Sequence, residues 1–144
     1  MAERKQRTRR GSKAPAPEAT PVHGDARLRY LRVSPRKTRL VIDLIRGRKV
    51  GEALHTLHFS KKRVARDVEK LLLSAVANAR SKARDQQRTV DADDLVVSQA
   101  FVNGGPVMKR FEFRARGRIC RILKRTAHIH LTVSEPAEAA ARAQ

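Results

Sequence analysis

The sequence predicts an α+β domain, in which three helices pack on one face of a small antiparallel sheet. Two observations lead to this fold class. A long apolar stripe recurs at helical spacing between Val64 and Ala79, and it must be buried against another layer. Residues 127–133 alternate apolar and polar side chains, which is typical of a strand with one buried face.

The first two elements are a short strand and a helix. Ala26–Val33 alternates apolar and basic residues and predicts the strand. Ser34 followed by Pro35 predicts a helix start, because Ser caps free N–H groups and Pro fits the first turn. Gly47 favours the end of this helix. Its predicted apolar stripe consists of Leu40, Val41, Leu44 and Ile45.

Two more helices follow. Val50–Phe59 predicts a short second helix, because its apolar residues recur at the i, i+3, i+4, i+7 spacing. Ser60 is the predicted cap of the third helix, which we expect to run to about Arg84, a length of roughly 36 Å. The third helix carries the longest apolar stripe of the chain, and a sheet is its natural partner.

The last third of the chain supplies that sheet. Leu95–Val102 is rich in β-forming residues, and Asn103–Pro106 (NGGP) predicts a turn. Val107–Arg125 alternates apolar and polar residues at both ends around Gly117. This pattern predicts a long hairpin with arms of about nine residues, each reaching roughly 30 Å.

The hairpin segment is too basic to form a core. It holds one acid, Glu112, against eight basic residues. An isolated ribbon is marginal in water, and the charges at this tip repel one another, so the hairpin needs a polyanion as partner. Arginine suits phosphate, because its planar fork matches phosphate oxygens; a flexible, solvated basic loop is the alternative. The eight cations are Lys109, Arg110, Arg114, Arg116, Arg118, Arg121, Lys124 and Arg125.

Composition divides the chain into three parts. Residues 1–25 form a predicted flexible basic tail, residues 26–133 a globular domain that includes the hairpin 107–125, and residues 134–144 a second flexible tail. Both tails contain few large apolar side chains, so neither buries enough surface to order itself.

The charge balance points to an anionic partner. The 144 residues include 33 Lys or Arg and 14 Asp or Glu, a formal net charge of +19. Such a charge is unlike that of most globular enzymes and opposes compaction unless it is compensated. A single Cys makes no internal disulfide, and we see no signal peptide or membrane span, so we expect a cytoplasmic protein and no membrane partner. Nucleic acid is the favoured partner.

Cations also occupy the predicted first turns of two helices, where the helix dipole favours anions. Arg36 and Lys37 follow Ser34, and Lys61, Lys62 and Arg63 follow Ser60. A phosphate bound at such a helix start would contact both the free N–H groups and the cationic side chains. The alternative is that these charges are solvated and screened by salt.

The chain offers little for catalysis or metal binding. His55/His58 and His128/His130 each supply two ligands, whereas a closed zinc site uses four, usually with Cys. Cys120 has no second Cys and no positioned His, and no phosphate-cradling glycine motif occurs. We therefore expect no enzymatic activity, metal or cofactor. Five aromatic residues are too few for the stacking platforms of single-strand binders, so contacts to phosphate and sugar should dominate.

Three segments resemble the bacterial members of the twenty-second large-subunit ribosomal protein family. The match runs in order from about Arg27 to Val133, and the GPVMKR...RARGR...RILKRTAHI block is highly specific. The chain departs from the family at its ends and in Arg80–Asp91. The segments are SPRKTRLVIDLIRGRKVGEAL, LLLSAVANA and FVNGGPVMKRFEFRARGRICRILKRTAHI.

The resemblance implies a structural constituent of the large subunit that binds large-subunit ribosomal RNA during assembly. It implies neighbouring ribosomal proteins as partners, and a hairpin that lines the peptide exit tunnel near the macrolide site, where it meets the nascent peptide. It also implies that the hairpin arms carry Lys109, Arg110, Lys124 and Arg125 through RNA. The tunnel-lining tip would be Arg114, Ala115, Arg116, Gly117, Arg118, Ile119, Cys120 and Arg121.

Two other functions compete with this hypothesis. Composition alone also suits a DNA-compacting architectural protein that uses the basic β-arm as minor-groove ribbons do, but the tip lacks the wedge that kinks DNA. A small RNA-modifying enzyme is disfavoured by the missing catalytic motifs. Together, Arg36, Lys37, Lys61, Lys62 and Arg63 and the hairpin cations are the predicted ribosomal RNA contacts.

Overall fold

A computed structural model describes residues 22–136 of the chain. Its three strands form one antiparallel sheet in the order β1-β3-β2. Two of the three α-helices pack on the sheet and the short middle helix packs mainly on the long third one, which confirms the α+β prediction. In chain order the elements are β1 (His23–Leu31), α1 (Pro35–Ile42), α2 (Val50–His58), α3 (Arg63–Asp85), β2 (Val96–Phe113) and β3 (Ile119–Ser134). A short 3₁₀ turn spans Ala92–Asp94, and Ala115–Gly117 forms the turn between β2 and β3.

Helix α3 buries its stripe against the sheet, as predicted. Leu72 of α3 and Ile129 and Leu131 of β3 are completely or almost completely buried. Each such side chain stabilises the fold by roughly 1.5–3 kcal/mol relative to an exposed one. Gly24 of β1 lies directly against the backbone of α3, where any side chain would overlap it. The absence of a Cβ therefore lets α3 and β1 approach closely.

Half of the predicted α1 stripe is buried, because Val41 and Ile45 belong to the core. Leu40 and Leu44 are 58% and 43% exposed, whereas Ile42 is buried. The helix ends at Ile42, so helical spacing no longer applies beyond it. Thr38 completes the buried face, and its hydroxyl donates to the Ser34 carbonyl at 3.2 Å, which satisfies a polar group that the sequence pattern placed outside the core.

Two predicted boundaries also shift. Strand β1 begins at His23, inside the predicted N-terminal tail. Of the two predicted tails, residues 1–21 and 137–144 lie outside the described residues. Helix α3 begins at Arg63 with Lys62 at its N-cap, so Ser60 does not cap it. The Ser60 hydroxyl instead accepts a long 3.5 Å hydrogen bond from the Lys62 N–H, within the turn that precedes the helix.

The predicted turn at Asn103–Pro106 is wrong. Strand β2 runs through it, and the pairing with β3 merely shifts register between Gly104 and Val107. Thr126 donates its hydroxyl to the Pro106 carbonyl at 2.7 Å, and Gly105 leaves room for that side chain. A proline that lacks an N–H fits such an irregularity as well as a turn. The hairpin is therefore a continuous extension of two core strands rather than an isolated ribbon.

The outer edge of β2 is covered by arginines of α1 and the turn after it. The Arg39 guanidinium donates to the Val102 carbonyl at 3.1 Å, and that of Arg46 donates to the Ala100 carbonyl at 3.1 and 2.8 Å. These cations stabilise the fold by satisfying an exposed strand edge. Within residues 22–136, no helix combines the length and the apolar character needed to cross a membrane.

Candidate nucleic-acid interface

The hairpin extends from the sheet as a paired ribbon. Its register runs from Val107 opposite Arg125 to Phe113 opposite Ile119, so each arm has a reach of roughly 24 Å. The Arg114 N–H donates to the Arg118 carbonyl at 2.8 Å and closes the turn. Arg116 and Gly117 both adopt positive φ, 61° and 71°, so the chain reverses where the sequence predicted.

The predicted hairpin cations are all exposed, and the register distributes those of the arms over both faces of the ribbon. Directly paired residues project to the same side of an antiparallel ribbon. One face therefore carries Lys109, Arg121 and Arg125, and the other carries Arg110 and Lys124. A partner that lies against only one face would leave the opposite charges uncompensated.

The exposed large apolar side chains of the hairpin gather on a single face. Sequence spacing groups Val107 with the two phenylalanines on one arm and Ile119 with Leu123 on the other, and the register brings both groups to the same side. All five are between 37% and 78% exposed. An exposed apolar face beside arginines is suited to contact with bases as well as phosphates. Its members, named here the apolar face, are Val107, Phe111, Phe113, Ile119 and Leu123.

A basic cleft of about 640 Å³ lies where the hairpin joins the domain. It brings the predicted contacts Arg110, Lys124 and Arg125 together with Ser34 at the start of α1. Arg32 also lines the cleft and was missed, since alternation in a predicted strand does not show which cations face a cleft. The remaining lining residues are Val33, Met108 and Leu123.

The two predicted helix starts differ in structure. Arg36 and Lys37 lie in the first turn of α1, which has no acid and no side-chain cap bond. The cap residue Ser34 lines the cleft beside the hairpin cations, so we group the α1 start with the hairpin under the name hairpin surface. Lys61 and Lys62 precede α3, and only Arg63 lies in its first turn. These three do not line the cleft, and they form a second region, named here the α3-start surface.

Few of the predicted contacts are neutralised within the protein. In the part of the chain that the structure describes, Arg114 alone among them pairs with an acid, Glu112, at 3.3 Å. Arg110 donates to the neighbouring Lys109 carbonyl at 3.1 Å, which leaves its charge uncompensated. By contrast, Arg46 pairs with Asp43 at 3.1 Å. The two surfaces are therefore strongly positive and available to an anionic ligand.

Sequence reasoning also missed a cluster at the end of α3. Arg80, Arg84 and Arg88 line a cleft of about 260 Å³, and Arg88 pairs with Glu135 at 3.2 Å. The spacing of these arginines by four residues was the available signal. For residues 22–136, no group of three or more His, Cys, Asp or Glu side chains is arranged to hold a metal ion.

Comparison with known proteins identifies related sequences. The model of the family described as "Ribosomal protein L22p/L17e" matches residues 26–134. Proteins named "Large ribosomal subunit protein uL22" are similar over most of this chain. The one from Magnetococcus marinus is 57% identical over 108 residues, which cover 75% of this chain and 91% of the relative.

Two further relatives carry the same name. The protein from Methylorubrum extorquens (strain PA1) is 52% identical over 124 residues, which cover 85% of this chain and 94% of the relative. The protein from Acidothermus cellulolyticus is 51% identical over 123 residues, and this match also covers 85% of the chain but only 44% of that longer relative.

Proposed function

The chain belongs to the ribosomal protein L22p/L17e family, and from this premise we propose that it binds large-subunit ribosomal RNA through the hairpin surface and the α3-start surface. Membership makes it a structural constituent of the large ribosomal subunit rather than an enzyme. Its partners are large-subunit ribosomal RNA and neighbouring ribosomal proteins.

The observation that carries this proposal is the double-sided charge of the hairpin. Lys109, Arg121 and Arg125 project from one face, and Arg110 and Lys124 project from the other, with little internal neutralisation. RNA helices arranged on both sides would compensate all of these charges, since each phosphate contact releases condensed counterions. A flat or one-sided partner would not.

The hairpin tip has a more specific role in this proposal. It lines the peptide exit tunnel near the macrolide site, where Arg114, Arg116 and Arg118 lie beside the nascent peptide. Two features support this role: the arms are long enough to cross a layer of RNA, and the tip is exposed on all sides. The globular domain binds RNA during assembly, and the arms fix the tip in place.

A truncation that preserves the register tests this division of roles. Residues 111–121 are replaced by Asn-Gly, which joins Arg110 to Ile122, a pair that already lies opposite in the ribbon. We expect the truncated chain to bind a large-subunit RNA fragment and to enter large subunits, while chemical probing shows altered reactivity of tunnel nucleotides. Failure to enter subunits would contradict the assignment of assembly to the globular domain.

A matched full-length variant separates charge from length. In it, Arg114, Arg116, Arg118 and Arg121 become Gln, so the hairpin keeps its reach and loses its tip charges. If both variants alter the reactivity of the same tunnel nucleotides, the effect is due to the charge of the tip rather than to the length of the hairpin. A competition experiment addresses the DNA-compacting alternative, because preference for duplex DNA over the RNA fragment would refute the ribosomal proposal.

A further inference from the structure

The face of the sheet turned away from the helices carries a row of ring and cationic side chains. Arg27 of β1 lies opposite His130 of β3, and His130 lies opposite Phe101 of β2. The core face uses the alternate residues, such as Ile129 and Leu131, so the row points away from the core. Phe101, on the edge strand β2, is 42% exposed.

Phe101 and His130 form a flat stacked pair. Their ring centroids are 4.9 Å apart, and their planes differ by 7°. Both rings line a cleft of about 210 Å³, together with Arg27, Gln99 and Asp25. The cleft therefore combines an aromatic surface, a cation and two groups that can form hydrogen bonds.

Asp25 and Gln99 are polar groups of this cleft, and Asp25 is held in place. Asp25 accepts a hydrogen bond from the Thr132 hydroxyl at 2.9 Å and pairs with Lys82 at 3.6 Å. Burial opposes ionisation of Asp25, but the Thr132 hydrogen bond and the charges of Lys82 and His23 outweigh burial and hold its pKa below 3.8. Gln99 is exposed beside it and offers both a donor and an acceptor.

The two imidazoles of β3 have different roles. The Tyr30 N–H donates to Nδ1 of His128 at 3.0 Å, and the two rings meet edge to face at 4.8 Å. This bond holds the His128 ring in place. Among the described residues, His130 makes no such hydrogen bond, so its nitrogens remain available in the cleft.

The cleft is electrostatically positive at neutral pH. Burial is the first cause that lowers the pKa of His130 below 6.5, and the charges of Arg27 and Arg29 and the neighbouring His128 lower it further. On β2, the residues that face His130 are the uncharged Phe101 and Gln99. On β1, the cleft is also lined by His23 and by Asp25, which is already paired with Lys82. An anion placed beside Arg27 would therefore meet little competition.

We propose that this sheet face, named here the stacking face, binds one unpaired nucleotide of RNA, whose base stacks on Phe101 and whose phosphate pairs with Arg27 and Arg29. Gln99 supplies hydrogen bonds to the edge of the base. The inference rests on the proposed RNA partner and extends the interface to a region that neither the hairpin surface nor the α3-start surface includes.

RNA fits this site better than a protein partner does. Aromatic rings and cations on an open sheet are a recurrent means of holding splayed-out bases. An aromatic count from the sequence misses the site, because His130 supplies the second ring. A protein partner would need acids to match Arg27 and Arg29 and an apolar group for Phe101, whereas a single nucleotide supplies both.

Stacking is tested with matched variants of the full chain. The probe is a single-stranded RNA octamer that contains one 2-aminopurine, whose fluorescence falls when its base stacks. Phe101→Leu removes the ring but retains apolar bulk, whereas Phe101→Tyr retains the ring. We expect Phe101→Leu to lower the affinity about ten-fold and abolish the quenching, and Phe101→Tyr to preserve both. Thermal unfolding verifies that both variants are folded.

Salt dependence separates stacking from charge. Phe101→Leu should leave the slope of log K against log salt unchanged, because it removes no charge. Arg27→Gln should reduce that slope by about 0.7, the value of one phosphate contact on a single strand. If Phe101→Leu and Phe101→Tyr bind and quench alike, the stacking site is refuted.

Protonation provides an independent readout. A bound phosphate offsets the charges of Arg27 and Arg29, so it raises the pKa of His130, and binding takes up a proton. Affinity should therefore increase as the pH falls from about 7.5 to about 5.5, and this increase should be smaller in His130→Gln. Equal pH dependence in both chains would contradict the proposal. If large-subunit RNA binding still requires the α3-start surface, the proposed function stands even when this inference fails.

Discussion

Replacement of the α3-start cations by Gln is the sharpest test of that surface. Lys61, Lys62 and Arg63 are exposed, and none of them pairs with an acid within residues 22–136. If each contacts one phosphate, the triple variant loses about three contacts, so the slope of log K against log salt should fall by roughly 2 to 3. Over a four-fold change in salt, this difference amounts to roughly 16- to 64-fold in relative affinity.

The assay measures binding of a large-subunit RNA fragment by fluorescence anisotropy at several salt concentrations between about 50 and about 200 mM, the range in which counterion release dominates. The triple variant should bind much more weakly at low salt and approach the parent chain at high salt. An unchanged slope would exclude the α3-start surface from the interface.

Two controls distinguish this surface from general charge and from misfolding. Arg66 and Lys70 are exposed cations further along α3, and their replacement by Gln should reduce the slope less per charge. An equal reduction per charge would show a bulk electrostatic effect. Removal of cations near a helix N-terminus also relieves repulsion from the dipole, by about 0.3–1 kcal/mol each. The melting temperature should therefore stay constant or rise.

Two further predictions concern stability. Gly105→Val should lower the free energy of unfolding by roughly 1–3 kcal/mol in urea titrations, because a side chain there overlaps Thr126. The matched Gly104→Val variant meets nothing within 4 Å and should change stability little; equal losses would contradict the crowding argument. The depressed pKa of Asp25 means that its stabilising effect is present above the unfolded pKa and is lost as the pH falls through the folded pKa. Acid unfolding as the pH falls through 3.8 and below should thus be less steep in Asp25→Asn, and identical curves would show that its pairing with Lys82 is not stabilising.

The fold could be predicted where the spacing of apolar residues was compatible with only one kind of secondary structure. The stripe of α3 is long enough that only a helix buries it, and the alternation in residues 127–133 fits only a half-buried strand. Prediction failed where the same residue types are compatible with two different local structures. Gly105 and Pro106 suit a turn and a register shift equally well, and only tertiary pairing with β3 selects between them.

The residue types of the candidate interface could be predicted from the sequence, but their arrangement in space could not. Arg36 and Arg39 are three residues apart in the same helix, yet Arg36 is exposed at the helix start whereas Arg39 donates to the Val102 carbonyl. No local pattern separates a cation that we propose to bind RNA from one that covers a strand edge. Phe101 was likewise only one of five aromatics until the register placed it beside His130.

The continuity of the hairpin with the core explains how a segment this basic is maintained before RNA binds. The strands that pair from Val107 to Phe113 are the same strands that pair through the buried core at Val102 and Ile129. The core already fixes the direction and register of these strands. The entropy cost that RNA binding incurs in ordering the two arms is therefore smaller than for an isolated ribbon. The register shift between Gly104 and Val107 lies at the junction of these two parts. Gly105→Val should consequently weaken RNA binding by the hairpin more than by the α3-start surface, since it disturbs the junction through which the core aligns the arms.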